Sequence, residues 1–317
     1  MRTAFLDYET VSSGDLDTTS LEQAVPGIRF YPLTTEAQLA ERLADAQIAL
    51  INKIKLTREH LHGARNLELI AVAGTGTDGV DLAAAQERGI AVCNVRGYCT
   101  ASVVQHAWAL ILSLTQHLAQ YARLATDGSW VENEKYAVLA YPIRELSGRA
   151  LGIVGWGTLG RGVAAVGEAF GMRSIICSRP GAPPAHGRVS LDELLATADI
   201  VSLHCPSTPA TRGLIGAREL GLMKTDALLI NTARGALVDG AALAQALRAR
   251  RLGGAGIDVL PQEPPTDGDP LLAPDIPNLI VTPHVAWAAR EARQRCIDEM
   301  AANIADYRRG GRRGRVV

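Results

Sequence analysis

The sequence predicts an α/β protein that contains two doubly wound parallel sheets. Three observations support this prediction: short apolar runs alternate with segments of helical spacing, the alternation stops near residue 100, and it starts again near residue 151. A final helix is predicted over about 289–308. Alternation of this kind is typical of β–α–β units with parallel strands. Because a long helical segment separates the two series, we expect each series to form a sheet of its own.

The first series contains five apolar runs that are short enough to be strands. These candidate strands lie at 3–8, 28–32, 47–51, 68–73 and 90–94. Helical spacing is present between them over 35–46 and 81–88. We expect Thr34 or Thr35 to cap the first of these helices. We expect Asp78 to cap the second, because short polar side chains satisfy the backbone N–H groups at a helix start.

The middle of the chain does not continue this alternation of strands and helices. A long, largely apolar helix is predicted from Ser102 to about Leu124. The polar stretch that follows contains three aromatic residues, Trp130, Tyr136 and Tyr141. The second series then predicts six strands, near 151–155, 174–178, 199–203, 227–231, 255–259 and 278–282.

The composition is that of a soluble globular protein. Hydrophobic residues make up 47% of the 317 residues, charged residues make up 21%, and the formal net charge is -1. A nearly neutral chain gives no reason to expect nucleic acid or an anionic membrane as its main partner. The first residues contain no apolar signal-peptide core, and no apolar run reaches the ~18 residues of a transmembrane helix. We therefore expect a cytoplasmic protein that binds neither nucleic acid nor a membrane.

The cysteines give no sign of a metal site. They are scattered along the sequence, without CxxC or zinc-ligand spacing, at Cys93, Cys99, Cys177, Cys205 and Cys296. Dispersed cysteines suit a reducing compartment, where thiols pack as small apolar groups. No metal is therefore predicted.

One basic cluster near the end of the sequence stands apart from these patterns. It contains Arg308, Arg309, Arg312, Arg313 and Arg315 among glycines. The favoured interpretation is a frayed, solvated end, because terminal segments are usually poorly ordered. The alternative is an anion-binding or partner-binding tail.

A glycine-rich turn follows the first strand of the second series. Residues 151–160 read LGIVGWGTLG: an apolar run, a GxGxxG turn and the start of an amphipathic helix over 158–170. In this context Gly155 permits the tight turn, Gly157 lets a pyrophosphate approach the backbone, and Gly160 lets the helix pack on the strand. The helix start also offers N–H groups and a partial positive charge to the phosphates. The residues expected to bind a dinucleotide here are Gly155, Trp156, Gly157, Thr158, Leu159 and Gly160.

The next strand bears on the choice between NAD and NADP. An NAD site has an acidic residue about 20 residues after the first glycine, where it holds the ribose hydroxyls. Here Ser178 stands at that place and Arg179 follows it. A neutral residue does not repel a 2′-phosphate, and an arginine can pair with it. The sequence allows either cofactor and favours NADP, unless Arg179 only stacks on adenine or faces water.

Three later loops each carry one ionisable side chain after an apolar run: Arg234, Glu263 and His284. Reduction of a 2-keto acid needs a fork of donors for its carboxylate and carbonyl, which arginine supplies. It also needs a proton donor that titrates near neutrality, such as histidine, and a carboxylate that orients the ring. Taken singly, these residues could be an Arg234–Asp239 ion pair, a solvated turn glutamate and a loop histidine. Their joint occurrence at strand ends, after a phosphate loop, favours catalysis.

Together these motifs resemble the D-isomer-specific 2-hydroxyacid dehydrogenase family over nearly the whole chain. The matching segments are the glycine loop, 203–206 with Thr211 and 214–215, 231–239, 258–259 and 282–284. Within the family the greatest similarity is to the glycerate dehydrogenases (hydroxypyruvate reductases), in segments 94–98, 102–106, 141–143 and 286–288. Ser178 departs from the acidic residue of many relatives, which puts NAD preference in doubt.

The resemblance implies a Rossmann dinucleotide-binding domain over 100–284, inserted into a flavodoxin-like substrate domain formed by 1–99 and 285–317. Arg234 would orient the substrate, His284 would transfer the proton, and Glu263 would hold His284. The residues implied to bind the cofactor, besides the glycine loop, are Ser178, Arg179, His204, Cys205, Pro206, Thr211, Thr232, Ala233 and Asp258. The residues implied to bind the substrate are Asn52, Lys53, Gly74, Thr75, Gly76, Arg234, His284 and Trp287.

The same resemblance implies an enzyme that moves a hydride between NAD(P)H and a small 2-keto or 2-hydroxy acid, with hydroxypyruvate as the favoured substrate. One alternative is a glyoxylate or broad 2-keto-acid reductase. Another, from a different class, is a nucleotide-sensing corepressor without turnover. A 3-phosphoglycerate dehydrogenase is disfavoured, because no regulatory domain follows the last helix. A homodimer is also implied, through the helix from Ser102 and an arm within 102–145, unless that helix belongs to the intramolecular core.

Overall fold

The computed structural model describes residues 2–133, 135–179 and 187–317. The chain divides into two compact units, one formed by Met1–Cys99 with Trp287–Val317 and the other by Thr100–Ala286. Each unit contains one parallel sheet. The two doubly wound sheets predicted from the sequence are confirmed.

The first unit is built on a five-stranded sheet in the order β2-β1-β3-β4-β5. Its strands are β1 (Thr3–Phe5), β2 (Arg29–Phe30), β3 (Ile48–Ile51), β4 (Leu69–Val72) and β5 (Ala91–Cys93). All of them pair in parallel, and this order is that of flavodoxin-like folds. Each strand lies within the apolar run that predicted it.

The described part of this unit has five α-helices: α1 (Thr19–Ala24), α2 (Glu36–Ala44), α3 (Arg58–Gly63), α4 (Leu82–Glu87) and α12 (Arg290–Arg308). Thr35 caps α2, as predicted, through a capping box. The expectation that Asp78 caps α4 is wrong, because the Asp81 side chain is the cap. The helix begins at Leu82, within one residue of the predicted start, and Val80 just before the cap is still in an extended bridge with Leu56.

Apolar side chains cover both faces of the first sheet. On one face, Phe5 and Leu50 of the strands are buried in one cluster with Cys296 and Met300 of α12. On the other face, a second cluster contains residues of α2, α3 and α4. Since α12 follows the second unit in the sequence, the second unit is an insertion in the first, as the resemblance implies.

The arginine-rich segment after α12 is ordered, so the prediction of a frayed end is wrong. Val316 N donates to Val92 O at 2.7 Å, and Asn94 N donates to Gly314 O at 2.9 Å. The Asn303 side chain of α12 donates to Asn94 O at 3.0 Å. The segment is held because β5 has backbone groups that no neighbouring strand of the sheet uses.

The second unit is built on a six-stranded parallel sheet in the order β11-β10-β9-β8-β6-β7. Its strands are β6 (Ala150–Val154), β7 (Arg173–Ile176), β8 (Ile200–Leu203), β9 (Leu228–Asn231), β10 (Gly254–Ile257) and β11 (Leu279–Val281). The first strand, β6, lies between β7 and β8, so the strand order reverses there. Ligands of open α/β sheets bind outside the carboxyl ends of the strands at such a point.

The described helices of this unit are α5 (Thr100–Gln116), α6 (Leu118–Thr126), α7 (Ser129–Glu132), α8 (Thr158–Ala169), α9 (Leu191–Thr197), α10 (Ala217–Leu222) and α11 (Gly240–Arg248). The single helix expected from Ser102 to Leu124 is wrong. His117 has a left-handed backbone with φ 48°, which separates α5 from α6. The ring of His117 stacks on that of Tyr141, with centroids 5.5 Å apart.

Helix α5 is a core element. Its side chains Trp108, Leu110, Ile111 and Leu114 are buried in one cluster with strand residues such as Ile153. A separate cluster covers the opposite face of the sheet. Among the described residues, no helix has both the length and the apolar character needed to cross a membrane.

Candidate active site

The carboxyl ends of the parallel strands in the second sheet meet at one edge. The predicted site residues of this unit follow these ends: the glycine loop after β6, residues 204–206 after β8, 232–234 after β9, Asp258 and Glu263 after β10, and His284 after β11. Strands β8 to β11 are neighbours, and β6 lies next to β8. We therefore treat this edge as the candidate active site.

The three glycines of the phosphate turn have different structural requirements. Gly155 has φ +105°, and a Cβ there would lie 2.6 Å from the backbone N of Cys205. A Cβ on Gly160 would lie 2.1 Å from the carbonyl oxygen of Gly155. A Cβ on Gly157 would have no described atom within 4 Å. The fold therefore requires the first and third glycines, and the second keeps the backbone accessible from outside.

Helix α8 begins at Thr158, directly after this turn, and is 12 residues long. The backbone N–H groups of its first turn, at Thr158, Leu159 and Gly160, have no carbonyl partner within the helix. Together with the helix dipole they form a site that favours a phosphate group. Trp156 and Gly157 complete the turn, and the geometry fits the pyrophosphate of a dinucleotide.

Two buried polar atoms at this edge have no hydrogen-bond partner among the described residues, His204 Nδ1 and Thr232 Oγ1. His204 Nε2 lies 2.9 Å from Ser202 Oγ. Burial lowers the pKa of His204 to about 4, so its ring is neutral at pH 7. Buried polar atoms are normally hydrogen-bonded. Both residues belong to the predicted cofactor set, and a dinucleotide has the hydroxyl and amide groups that such atoms bind.

The loop after β8 is braced by one of its predicted cofactor residues. Thr211 Oγ1 donates to Pro206 O at 2.7 Å and accepts from Thr208 N at 2.8 Å. Cys205 is buried, and its backbone packs on Gly155. These contacts shape the wall of the turn, and direct cofactor contacts of these residues stay predictions.

Ser178 and Arg179 lie just after β7, on the other side of β6. Ser178 is buried and its N–H donates to Val189 O at 2.8 Å, whereas Arg179 is exposed. Burial raises the pKa of the neighbouring Cys177 to about 11, and the nearby Arg188 guanidinium partly opposes this rise. Sequence reasoning missed Arg188, because eight residues separate it from Arg179 and no motif marks it.

The Arg234 loop is fixed by a fully buried asparagine. Asn231 Oδ1 accepts from Ala233 N at 3.0 Å, and its Nδ2 donates to Arg234 O at 2.9 Å. A Cβ on Gly235 would lie 2.0 Å from the carbonyl carbon of Leu260. The loop after β9 therefore packs directly on the loop after β10, which carries Glu263.

His284 and Glu263 form a hydrogen-bonded pair. His284 Nδ1 lies 2.5 Å from Glu263 Oε2, and the two side chains are 28% and 32% exposed. The other oxygen, Glu263 Oε1, accepts from Leu260 N at 2.8 Å. With Nδ1 on the carboxylate, Nε2 is the ring nitrogen on the opposite side. The pair has the geometry of a general acid–base and its orienting carboxylate.

The loop that carries His284 is held by Asp258. His284 has a left-handed backbone with φ 54°, an uncommon conformation for a residue with a Cβ. The buried Asp258 carboxylate accepts from Thr282 Oγ1 at 2.5 Å and from the N–H groups of Val285 and Ala286 at 2.9 Å. These bonds maintain the strained turn. Direct contact of Asp258 with the cofactor stays a prediction.

Sequence reasoning did not assign a site role to His106 of α5. Its Nε2 lies 3.0 Å from Thr282 Oγ1 and 3.4 Å from Asp258 Oδ1. His106 therefore belongs to the group that positions the His284 loop. The only signal in the sequence is a histidine within a largely apolar helix, which does not identify the partner.

The substrate-binding residues predicted in the first unit lie in three of its loops. Asn52 and Lys53 follow β3, residues 74–76 follow β4, and Trp287 precedes α12. Lys53 Nζ lies 5.7 Å from the centroid of the Trp287 ring. Asn52 Nδ2 donates to Thr10 Oγ1 at 2.9 Å. The structure thus brings Lys53 and Trp287 together, and Asn52 braces its own loop.

The Asn52–Lys53 loop is anchored by Asp7, which sequence reasoning included in the first strand and did not single out. The buried Asp7 carboxylate accepts from the N–H groups of Asn52, Lys53 and Ile54 at 2.9, 2.6 and 3.1 Å. Burial raises the pKa of Asp7, and these three bonds oppose the rise. Asp7 is therefore a structural anchor for residues of the predicted substrate loop.

A phosphate-binding turn and a carboxylate-bound histidine at the same sheet edge define a class of protein, the dinucleotide-dependent dehydrogenases. Residues 108–286 match the family described as D-isomer specific 2-hydroxyacid dehydrogenase, NAD binding domain. The chain belongs to this family. It is an oxidoreductase that acts on CH–OH groups with NAD(P).

Relatives cover almost the whole chain. A glycerate dehydrogenase of Methylorubrum extorquens is 43% identical over 308 residues, 96% of each chain. A hydroxypyruvate reductase of Blautia hydrogenotrophica is 33% identical over 98% of each chain. Among solved structures, a protein of Thermus thermophilus matches with a TM-score of 0.88 and 35% identity over 100% of both chains.

Proposed function

We propose that this protein reduces hydroxypyruvate to D-glycerate with NADPH or NADH, and that it also catalyses the reverse oxidation. The main observation that supports this reaction is the 2.5 Å contact between His284 Nδ1 and Glu263 Oε2. This pair lies at the sheet edge that also holds the phosphate turn. The choice of hydroxypyruvate is supported by the similarity to a glycerate dehydrogenase and a hydroxypyruvate reductase along nearly the whole chain.

His284 is the proposed proton donor. The nicotinamide ring, when bound, supplies or accepts the hydride. In the reduction, His284 Nε2 gives its proton to the oxygen of the substrate carbonyl as that oxygen gains negative charge. Glu263 accepts the Nδ1 hydrogen, which fixes the ring and stabilises the imidazolium. The Leu260 N–H restrains the carboxylate, since it binds the other oxygen of Glu263 at 2.8 Å.

Arg234 is the proposed anchor for the keto acid. A guanidinium presents a planar fork of donors, which matches the neighbouring carboxylate and carbonyl of a 2-keto acid. The buried Asn231 fixes the backbone of Arg234, and the contact of Gly235 with Leu260 joins this loop to the Glu263 loop. The backbone of Arg234 is therefore held in a fixed relation to the loop that carries Glu263.

The backbone N–H groups of Gly74, Thr75 and Gly76 are proposed to bind the substrate carboxylate, and Lys53 and Trp287 are proposed to bind the same substrate. The loop is held at a fixed shape because Thr75 Oγ1 donates to Val95 O at 2.7 Å and the Asn94 side chain donates to Thr75 O at 2.7 Å. Preorganised backbone donors bind an anion at little cost in reorganisation. The positive charge of Lys53 favours the same ligand.

NADPH is the proposed preferred cofactor. Ser178 replaces the acidic residue that would repel a 2′-phosphate, and it is buried at the end of β7. Arg179 is exposed beside it, and Arg188 lies near Cys177 at the end of the same strand. Two guanidinium groups near one strand end favour a phosphate ester there.

A homodimer is proposed through the arm over 118–143. Four apolar side chains of this segment are strongly exposed: Leu118 63%, Val131 81%, Tyr136 100% and Leu139 87%. A large exposed apolar surface of this kind usually marks an interaction site. The apolar side chains of α5 are mostly buried in the unit itself, so the arm supplies the greater part of the proposed interface.

The cytoplasm is the proposed compartment. All five cysteines are free thiols, and four of them are buried. Thiols persist in this state in reducing compartments.

A substrate panel tests the proposal. The purified protein is mixed with hydroxypyruvate, glyoxylate and pyruvate, each with NADH and with NADPH, and the loss of nicotinamide absorbance is followed. We expect the highest kcat/KM with hydroxypyruvate. A higher value with glyoxylate would instead identify a glyoxylate reductase. Absence of turnover with every keto acid, in a protein that still binds NADPH, would contradict the enzymatic proposal and favour a nucleotide sensor.

A further inference from the structure

A pocket of about 400 Å³ lies in the first unit, between the loop after β5 and the segment after α12. Its walls carry Arg96 on one side and Arg312, Arg313 and Arg315 on the other. Glu299 is the only carboxylate among its described lining residues. The excess of positive charge comes from Arg96 and three members of the C-terminal arginine cluster, none of which the proposed reaction uses.

Only one of these arginines is neutralised by an acidic side chain of the described residues. Arg313 Nη2 lies 2.6 Å from Glu299 Oε2. Among the described residues, no Asp or Glu side chain forms an ion pair with Arg96, Arg312 or Arg315. Arg96 Nε donates to Asn94 Oδ1 at 3.3 Å, and Arg315 Nε donates to Val317 O at 2.7 Å. These two bonds use only the Nε group of each guanidinium.

The backbone segments that carry these arginines are ordered. The buried Asn303 donates to Asn94 O at 3.0 Å, and Asn94 N donates to Gly314 O at 2.9 Å. Gly314 has φ +64°, and a Cβ there would lie 2.5 Å from Asn303 Nδ2. The backbone between Arg313 and Arg315 is therefore fixed tightly against α12. Arg96, Arg312 and Arg315 therefore place three positive charges around one cavity. These side chains are exposed, so solvent screens part of their mutual repulsion, and a bound anion would lower it further.

We propose that this pocket binds a small organic phosphate. Guanidinium groups recognise phosphate oxygens through paired N–H donors, and arginine is the residue best suited to this geometry. The cavity is larger than inorganic phosphate, so it has room for the organic part of a phosphate ester as well. The ester and the free anion share the chemistry that the arginines recognise.

The pocket is connected to the proposed substrate loop. Asn94, in the pocket wall, donates through Nδ2 to Thr75 O at 2.7 Å. Val95, also in the wall, accepts from Thr75 Oγ1 at 2.7 Å. A ligand that moves or stiffens the wall therefore acts on residues 74–76. This regulatory part rests on the function proposed above for that loop, whereas binding of the phosphate does not.

Calorimetric titration tests the binding directly. Glycerol 2-phosphate and inorganic phosphate are titrated separately into the protein saturated with NADPH, with sodium chloride used to keep the ionic strength constant, because screening alone changes charge effects. We expect both to bind, with the ester at least threefold tighter. The Arg312→Gln/Arg315→Gln variant is expected to lose at least tenfold in affinity for both. The matched control is Arg309→Gln, which removes a charge from the same segment outside the pocket and is expected to bind as the parent does.

Each outcome of this titration decides the question. Equal weakening in the Arg309→Gln variant, or unchanged affinity in the double variant, would overturn the proposal, as would the absence of binding to the parent protein at millimolar concentration. Tighter binding of inorganic phosphate than of the ester would overturn the ligand class. Thermal unfolding of the double variant without ligand checks that it is folded. An effect of glycerol 2-phosphate on the KM for hydroxypyruvate supports the regulatory part, and a failed keto-acid assay leaves the binding result intact.

Discussion

The carboxyl edge of the second sheet and the arm over 118–143 hold their important side chains in opposite ways. At the edge, buried groups brace the predicted catalytic loops: Asn231 holds the Arg234 loop and Asp258 holds the His284 loop. In the arm, Val131 and Leu139 are 81% and 87% exposed.

The difference shows what each region requires from the folded chain. Catalysis requires reacting groups that are already in position before the substrate arrives. Asp258 alone uses three hydrogen bonds to hold one strained turn. An interface, by contrast, is completed by its partner, so its apolar side chains remain without cover in a single chain. Four substitutions test this difference between the two regions.

The His284→Ala substitution should have the largest effect. It removes the proposed proton donor and leaves the phosphate turn intact, so we expect kcat for hydroxypyruvate reduction to fall about a thousandfold or more. NADPH affinity, measured by quenching of tryptophan fluorescence, should stay within about twofold of the parent value, because the substitution does not change the turn that binds the phosphates. An unchanged kcat would exclude His284 as the acid.

The buried His204 should make the stability of the protein depend on pH. Its pKa is about 4 in the folded protein, below its ordinary value of 6.5. The unfolded chain therefore binds the proton more readily, so stability present above pH 6.5 is lost as the pH falls toward 4. The gap between the two values corresponds to about 3 kcal/mol.

Urea unfolding of the parent and of His204→Gln, at pH 7 and at pH 4.5, isolates this contribution. The free energy of unfolding of the parent should fall further than that of the variant, by about 2.5 kcal/mol over this interval. Carboxylates that titrate in the same range affect both proteins alike. If both lose the same amount, the histidine is not buried in its neutral form.

A substitution in the arm should weaken the dimer and leave the folding of each chain unchanged. A Val131→Asp substitution places a charge in the proposed interface, and we expect it to weaken the dimer by at least about tenfold, because a buried unpaired charge is unfavourable. Sedimentation over a range of concentrations measures this. Glu132→Ala, next along the chain, is the control. A monomeric parent protein would refute the proposed dimer outright.

The smallest effect is expected at the cofactor ribose. Ser178→Asp should lower the ratio of kcat/KM with NADPH to that with NADH by about tenfold, since a carboxylate repels the 2′-phosphate and binds ribose hydroxyls. Ser178→Ala serves as the neutral control and should leave the ratio nearly unchanged. A ratio that is unaffected by the aspartate would place the 2′ position elsewhere.

The strands and the order of the loops could be predicted from the sequence because both depend on local patterns. Buried parallel strands are continuous apolar runs, and each observed strand of the first sheet lies within its predicted run. The glycine turn could also be predicted from the sequence. A positive φ at Gly155 and close packing at Gly160 exclude residues with a side chain from both positions. The pair of His284 and Glu263 was expected from their chemistry.

What escaped prediction depends on contacts between distant residues. The break at His117 requires a left-handed histidine whose ring stacks on Tyr141, which lies 24 residues away and has no signature in the helix itself. The cap of α4 is Asp81 and not Asp78, because Val80 is in an extended bridge with Leu56 and the helix can begin only after it. The role of His106 depends in the same way on its contact with Thr282, across the unit.

The ordered segment after α12 also has a consequence for how copies of this protein meet. Its hydrogen bonds to Val92 and Asn94 occupy the outer side of β5. At the opposite border of the same sheet, β2 is only two residues long. Exposed strand borders are templates for pairing between chains, and natural sheets protect them by covering or shortening them. The first sheet is therefore closed at both ends against polymerisation, and removal of residues 314–317 should make the protein prone to aggregate.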